Sequence, residues 1–308
     1  MRVKFNTILC ATDLSDYSNQ TILYGNALAK MFEAKLYVCH VVETIPVVTY
    51  GEAFFDATEQ QNSLVQIARK QLDSLIDEKA YHFEPIVTVG NKVDEILRIS
   101  EEKNADVVIT ATRLRYGLKR FLLGSVTDRL MRILTCPLVV LRSSYATYQE
   151  YEKTNFNIKK ILVGCDFSSD SNLALNHGLS LAQEFESELH LVHVVAEYLH
   201  QYTPDMMMEF NIPHDDTKIQ LNKKLLELFP KEAANWCKIK TDILFGQPHE
   251  EICNYADSED IDLIVLGTRG AGLVKTLFIG STTDRVIRKS ECPVLSVCNK
   301  NKTGGSTS

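Results

Sequence analysis

The stretch ILCATDLS, residues 8–15, decides the fold, because it recurs as ILVGCDFS at residues 161–168. Each copy begins with a short apolar run that ends in an aspartate and a serine. This pattern is typical of a buried strand followed by the start of a helix. The copies lie 153 residues apart, so the repeating unit has the size of a whole domain.

Three further matches follow in the same order along the two copies. They are HVV at residues 40–42 and 193–195, GSxTDR at 124–129 and 280–285, and CP at 136–137 and 292–293. The separation grows from 153 to 156 residues, so the second copy has gained three residues. We expect this gain in the connection after its second strand, at residues 198–213. Collinear matches over the whole unit predict a duplicated domain.

Strand-like and helix-like patterns alternate within each copy. In the first copy, apolar runs predict strands at 5–12, 35–42, 84–89, 106–111 and 137–141, and helical spacing predicts helices at 17–32, 60–80, 91–103 and 125–133. Nearly continuous apolar strands are typical of a parallel sheet covered on both faces. The sequence therefore predicts an α/β fold of two tandem, doubly wound, Rossmann-like domains, each with a five-stranded parallel sheet.

Chain length and composition set the number of domains. A chain of 308 residues is long for a single hydrophobic core and fits two domains of roughly 100–200 residues. We predict domains at residues 1–143 and 158–298, joined by a polar linker at 144–157. Residues 299–308, rich in Lys, Gly, Ser and Thr, are predicted to be a disordered tail.

Net charge and hydropathy argue against a nucleic-acid-binding or membrane-spanning protein, and the cysteines indicate the compartment. A net charge of −7 and a pI near 5.7 lack the basic footprint of a nucleic-acid-binding protein. No run reaches the roughly 20 apolar residues of a membrane span, and residues 1–13 resemble a first strand rather than a signal peptide. The eight cysteines include no CxxC pair. They are predicted to pack in the core of a cytoplasmic protein.

Two histidines lie close together in the second strand of the second copy. His190 and His193 are three residues apart, which points their rings to opposite faces of a strand. We interpret them as core or supporting residues, and no metal site is predicted.

A glycine-rich stretch carries the sharpest chemical signal. Residues 267–272, GTRGAG, follow an apolar strand, and Gly280-Ser281 opens a helix. Glycines at the carboxyl end of a parallel strand let backbone amides approach a phosphate closely. The helix start adds unpaired N–H groups, a hydroxyl and the positive end of the helix dipole. The sequence therefore predicts an anion site in the second copy.

The same residues carry a family resemblance. They match the spacing G-x2-G-x9-G-[S/T], and with it the chain resembles the universal stress proteins. Gly267, Gly270, Gly280 and Ser281 occupy every required position. The resemblance extends over most of each half, and it implies a tandem pair of domains with the adenine nucleotide alpha hydrolase-like fold.

The resemblance also implies that the second domain binds ATP, or the related ADP or AMP. A bound triphosphate would bring Mg²⁺ with it. Asp166 would face the nucleoside, and the backbone of Val194 would meet the adenine edge. The phosphates would be held by Gly267, Gly270, Gly280, Ser281 and Thr282. A second interpretation of Asp166 stays open, because an aspartate before a helix also serves as a capping or turn residue.

The first copy departs from the pattern. Ala111 and Leu114 stand where the second copy has Gly267 and Gly270, and their side chains would crowd a phosphate. Four residues of the corresponding pocket remain: Asp13, Val41, Gly124 and Ser125. We therefore expect a degenerate first site that keeps its floor and has lost its phosphate cradle.

Three functions are compatible with the sequence. The first is a cytoplasmic stress-response regulator that binds an adenine nucleotide in its second domain without a catalytic step. The second is slow ATP hydrolysis or self-phosphorylation, for which Ser281 and Thr282 are the candidate hydroxyls. The third is a nucleotide-free module for protein or lipid partners.

The edges of the predicted sheets bear on assembly. An apolar last strand, as at residues 137–141 and 293–297, needs to be covered. The resemblance implies that the two last strands pair about a pseudo-twofold axis within one chain, and it leaves room for a homodimer of chains.

Overall fold

A computed structural model describes residues 3–16, 18–44, 57–79, 82–112, 123–142, 157–196, 214–268 and 279–298. The chain divides into two compact units, one of residues 4–156 and one of residues 157–308 together with 1–3. The predicted linker, apart from Asn157, and the predicted tail lie outside the described residues, as does the 198–213 insertion.

The first unit alternates strands and helices along the chain. Its elements are β1 Thr7–Ala11, α1 Asn19–Phe32, β2 Lys35–Val42, α2 Ala57–Lys79, β3 Glu84–Val89, α3 Lys92–Glu102, β4 Val107–Ala111, α4 Ser125–Ile133 and β5 Leu138–Leu141. The strands are parallel and lie in the order β3-β2-β1-β4-β5. Each predicted strand and helix of this copy is confirmed to within three residues at either end.

The second unit repeats this architecture. Its elements are β6 Lys160–Gly164, α5 Ser169–Phe185, β7 Glu188–Ala196, α6 His214–Glu227, a short 3₁₀ helix Ala233–Asn235, β8 Ile239–Gly246, α7 Pro248–Ser258, β9 Leu263–Gly267, α8 Ser281–Lys289 and β10 Val294–Val297. Its parallel strands lie in the order β8-β7-β6-β9-β10. The predicted α/β class with a parallel sheet is therefore confirmed in both copies.

The strand order places a crevice at the same point in each sheet. β1 pairs with β2 on one side and β4 on the other, and β6 lies likewise between β7 and β9. The chain thus leaves the first strand toward one side of the sheet and later returns to its other side. Ligands of open α/β sheets bind where the order reverses, outside the carboxyl ends of the strands. Both copies meet this condition.

The first helix of each unit packs closely on the central strand of its sheet, because the residue at the closest contact is a glycine, which has no side chain. Gly178 in α5 has no room for a Cβ, which would lie 2.5 Å from a methyl group of Val163 in β6. The equivalent Gly25 in α1 would collide with the Cys10 sulfur in β1. The first helix of each unit is therefore held against the middle of its sheet.

Most of the cysteines, and His190, lie in the core as predicted. Five of the eight cysteines are buried: Cys10, Cys39, Cys136, Cys165 and Cys253. Burial raises the pKa of Cys39 to about 12, so this thiol is not a nucleophile at neutral pH. His190 is 1% exposed and its Nδ1 lies 3.1 Å from the hydroxyl of Tyr255. It is a core residue.

Among the described residues, no helix is both long enough and apolar enough to cross a membrane.

Candidate functional site

The loop after β6 is a tight turn closed by its own polar side chains. Asp166 is exposed, and its Oδ1 accepts a hydrogen bond of 3.0 Å from the N–H of Ser168. Phe167, between them, has a φ of 62°, in the left-handed region. Ser168 caps α5, because its hydroxyl accepts from the N–H of Ser171 at 3.1 Å. The open question about Asp166 is thus answered in part: it closes the turn, whereas the cap is Ser168.

The end of β7 is tied to this loop through a histidine. The Nδ1 of His193 lies 2.7 Å from the carbonyl oxygen of Cys165, and its ring lies 4.8 Å from that of Phe167. The carbonyl of Val192 accepts from Cys165 N–H at 2.8 Å. Backbone groups alternate sides along a strand, so Val194 presents its amide and carbonyl to the side where β6 has already ended.

The end of β9 is crowded by the first turn of α5. A Cβ on Gly267 would lie 2.6 Å from the backbone carbon of Asp170 and 2.7 Å from its oxygen. Asp170 is 2% exposed, and its Oδ2 lies 3.5 Å from the hydroxyl of Thr268. Gly267 is therefore required by close packing of helix on strand, a role that the glycine motif does not reveal.

The loop between β9 and α8 is closed at its base. Gly280 N–H donates to the carbonyl of Thr268 at 2.7 Å, and the hydroxyl of Thr283 donates to the carbonyl of Gly267, also at 2.7 Å. The chain therefore leaves β9 and returns to α8 at the same place. Gly270 lies between these points, outside the described residues.

The start of α8 is suited to an anion. Gly280 is its N-cap, with a φ of −60° and no hydrogen bond from a capping side chain. Ser281 is exposed and Thr282 half-buried in the first turn. Backbone N–H groups at such a helix start attract negative charge. The chemistry offered here is binding of an anion by amides and hydroxyls.

The predicted residues of the second site that the structure describes come together at one edge of the sheet. Asp166 follows β6, Val194 lies two residues before the end of β7, Gly267 ends β9, and Gly280 is the N-cap of α8, whose first residues are Ser281 and Thr282. Hydrogen bonds link these segments from His193 to Cys165 and from Thr283 and Gly280 to the end of β9.

Sequence reasoning missed two residues that organise this edge, Asp170 and Thr283. Thr283 could have been found, because it belongs to the repeated GSxTDR segment. Asp170 has no matching signal, because the equivalent position of the first copy is Tyr17.

The first domain keeps the same framework around a cavity of about 460 Å³. The Nδ1 of His40 lies 3.0 Å from the carbonyl oxygen of Thr12, and this contact is equivalent to the 2.7 Å contact of His193 with Cys165. The base of the β4–α4 loop is closed by a 3.2 Å hydrogen bond from Gly124 N–H to the hydroxyl of Thr112. All four predicted residues of the degenerate site line the cavity: Asp13, Val41, Gly124 and Ser125. Leu114 lies outside the described residues.

Comparison with known proteins identifies the family. A sequence model of the universal stress protein family matches the chain twice, at residues 4–142 and 157–297. A universal stress protein of Methanocaldococcus jannaschii is 32% identical over 147 residues, which cover 45% of this chain and 81% of that protein. One from Mycobacterium tuberculosis is 23% identical over 304 residues, covering 95% of this chain and 97% of its own length.

A solved structure covers both domains. The crystal structure of a universal stress protein from Archaeoglobus fulgidus has a TM-score of 0.68 at 23% identity, covering 96% of this chain and 99% of its own. This likeness shows the fold. The two matches to the family model mean that the chain belongs to the universal stress protein family and carries two of its domains in tandem.

Proposed function

We propose that this protein is a stress-response regulator that binds ATP, or the related ADP or AMP, through its second domain. The observation that carries the proposal is the closed base of the β9–α8 loop. Its hydrogen bond from Gly280 to Thr268 holds the end of β9, where the glycine motif begins, against the start of α8. An anion held there by N–H groups would lie at the edge of the sheet where Asp166 and Val194 also lie.

Each part of the site has a role in this proposal. Asp166, exposed beside the end of β6, accepts hydrogen bonds from the ribose hydroxyls. The backbone of Val194 meets the edge of the adenine. The phosphates rest on Gly270, Gly280, Ser281 and Thr282, whereas Gly267 chiefly lets α5 approach β9. Mg²⁺ accompanies a triphosphate through phosphate oxygens and water.

The proposal is tested by titration calorimetry with Mg·ATP on the full chain, verified to be free of nucleotide. We expect one site per chain, and loss of binding in Gly270→Leu, which copies Leu114 of the first domain. Ala271→Ser changes the next residue of the loop but keeps the motif, and is expected to bind normally. No binding by the unmodified chain would overturn the proposal and favour a nucleotide-free interaction module.

The same samples address the enzymatic alternative. Release of ADP or labelling of the protein by ATP would favour hydrolysis or self-phosphorylation. We expect neither, because a hydroxyl that holds a phosphate is not thereby activated as a nucleophile.

Assembly and location belong to this proposal as well. We propose a cytoplasmic protein in which the last strands of the two domains pair about a pseudo-twofold axis. Sedimentation at several concentrations would tell a monomeric chain from the homodimer that the resemblance also allows.

A further inference from the structure

A buried carboxylate packs against the first glycine of the motif in the second domain. Asp170, in the first turn of α5, is 2% exposed. A Cβ built on Gly267 would lie 2.9 Å from the Cβ of Asp170, so the two residues are in direct contact. The acidic side chain therefore lies at the same edge of the sheet as the proposed phosphate site, although it is not part of the motif.

The contacts of Asp170 compensate its charge only weakly. Its Oδ1 lies 3.4 Å from the hydroxyl of Ser169 and its Oδ2 lies 3.5 Å from the hydroxyl of Thr268, and both distances are long for hydrogen bonds to a carboxylate. No cationic side chain among the described residues lies within ion-pair distance of it. The positive end of the α5 dipole is what favours a negative charge at this position.

A single residue joins this carboxylate to the start of α8. Thr268 is 7% exposed, its hydroxyl contacts Asp170, and its carbonyl oxygen accepts the N–H of Gly280 at 2.7 Å. A buried residue therefore lies between the carboxylate and the N-cap of α8. Charges interact more strongly through protein than through water, and salt screens them less there. A phosphate held at the start of α8 would consequently be repelled by Asp170.

The charge is specific to the second copy. Asp170 aligns with Tyr17, which carries no charge and lies outside the described residues, whereas Thr268 aligns with an identical residue, Thr112. The carboxylate is thus an addition to the repeated framework. It disfavours a bare polyphosphate and tolerates one whose charge is partly neutralised by a divalent cation.

We infer that Asp170 is a specificity-determining residue of the second site, which makes the binding of a triphosphate depend on a divalent cation such as Mg²⁺. The inference rests on the proposed function, because it concerns the form of the nucleotide that this site takes. Asp170 acts through its charge, since its side chain is buried against Gly267, and the cation is held by phosphate oxygens and water. A chain with this carboxylate responds to the complex of nucleotide and cation rather than to the free nucleotide.

The test is titration of ATP, ADP and AMP into the full chain, each in excess EDTA, and of ATP in excess Mg²⁺. For the unmodified chain we expect ATP to bind about tenfold more weakly in EDTA than in Mg²⁺. Asp170→Asn keeps the size of the side chain and an acceptor oxygen but removes the charge. It should tighten the binding of ATP in EDTA about tenfold, that of ADP less and that of AMP least, because the repulsion grows with the charge of the ligand.

A matched control removes a carboxylate from the first turn of another helix in the same domain. Asp216 lies in the first turn of α6 and is exposed. Asp216→Asn should leave all four affinities unchanged, because water screens an exposed charge. A change as large as that in Asp170→Asn would overturn the assignment to the buried carboxylate.

Two further results would overturn the inference. An equal change for ATP, ADP and AMP in Asp170→Asn would show that the residue acts through packing alone. Equal binding of ATP in EDTA and in Mg²⁺ by the unmodified chain would overturn the inference and leave the proposed function standing, and this comparison does not depend on the folding of any variant. No binding of Mg·ATP by the unmodified chain would overturn the proposed function, and this inference with it.

Discussion

The two domains differ at the ends of β4 and β9. Thr112 and Thr268 occupy equivalent positions there, yet the residue before them is Ala111 in one domain and Gly267 in the other. In the second domain the backbone of Asp170 leaves no room for a Cβ at Gly267. The comparison teaches that close packing of a helix on a strand can by itself require a glycine of a binding motif. Replacing such a glycine therefore changes the packing of the domain as well as the site.

A buried histidine gives the largest expected difference between the domains, which is a pH dependence of the stability of the second domain. His177 in α5 occupies the position of Tyr24 in α1, and burial lowers its pKa to about 4. The unfolded chain takes up the proton near pH 6.5, whereas the folded domain stays neutral down to about pH 4. The free energy of unfolding of the second domain should therefore fall by about 3 kcal/mol between these pH values and then level off.

This pH dependence can be followed through the one tryptophan of the chain. Trp236 lies in the second domain, so its fluorescence during urea unfolding reports that domain. His177→Tyr, which copies Tyr24, should remove most of the slope between pH 6.5 and 4. Equal slopes in the two proteins would contradict the assignment to His177.

The contact at Gly267 gives the next largest effect. Gly267→Ala copies the first domain but places a Cβ 2.6 Å from the Asp170 backbone, so α5 or β9 must shift. We expect the second domain to lose about 2 kcal/mol of stability, as in overpacked cores. The urea midpoint from Trp236 measures this loss. Ala111→Gly is the matched control and should leave that midpoint unchanged; an unchanged midpoint in Gly267→Ala would show that α5 adjusts freely.

The helix caps give the smallest effect. Ser168 caps α5 with its hydroxyl, whereas Ser18, the N-cap of α1, makes no hydrogen bond of this kind. Ser168→Ala should cost the second domain about 1 kcal/mol. Ser171→Ala, three residues further on, removes a hydroxyl but keeps the cap and should cost less. The urea midpoints of the two variants measure these losses of stability. A larger loss in Ser171→Ala than in Ser168→Ala would contradict the capping role of Ser168.

The sequence predicts the fold well because buried strands and amphipathic helices leave periodic patterns. Even short strands such as β4, Val107–Ala111, were predicted to within one residue. The site was predicted only in outline. The motif identifies Gly280 and Ser281, but the contacts of Asp170 with Gly267 and of His193 with Cys165 join residues far apart in the chain. Such contacts depend on how helices and strands meet, which no local pattern records.

The closed base of the β–α loop has a consequence for how the two copies diverge. In each domain eleven residues, 113–123 and 269–279, separate the two ends that a hydrogen bond joins. Each hydrogen bond ties the start of the last helix to the end of the preceding strand, so this edge of the sheet is closed in both copies although the sequences between the ends differ. A duplicated chain with this closure can therefore vary the sequence between the two fixed points in one copy without a matching change in the other.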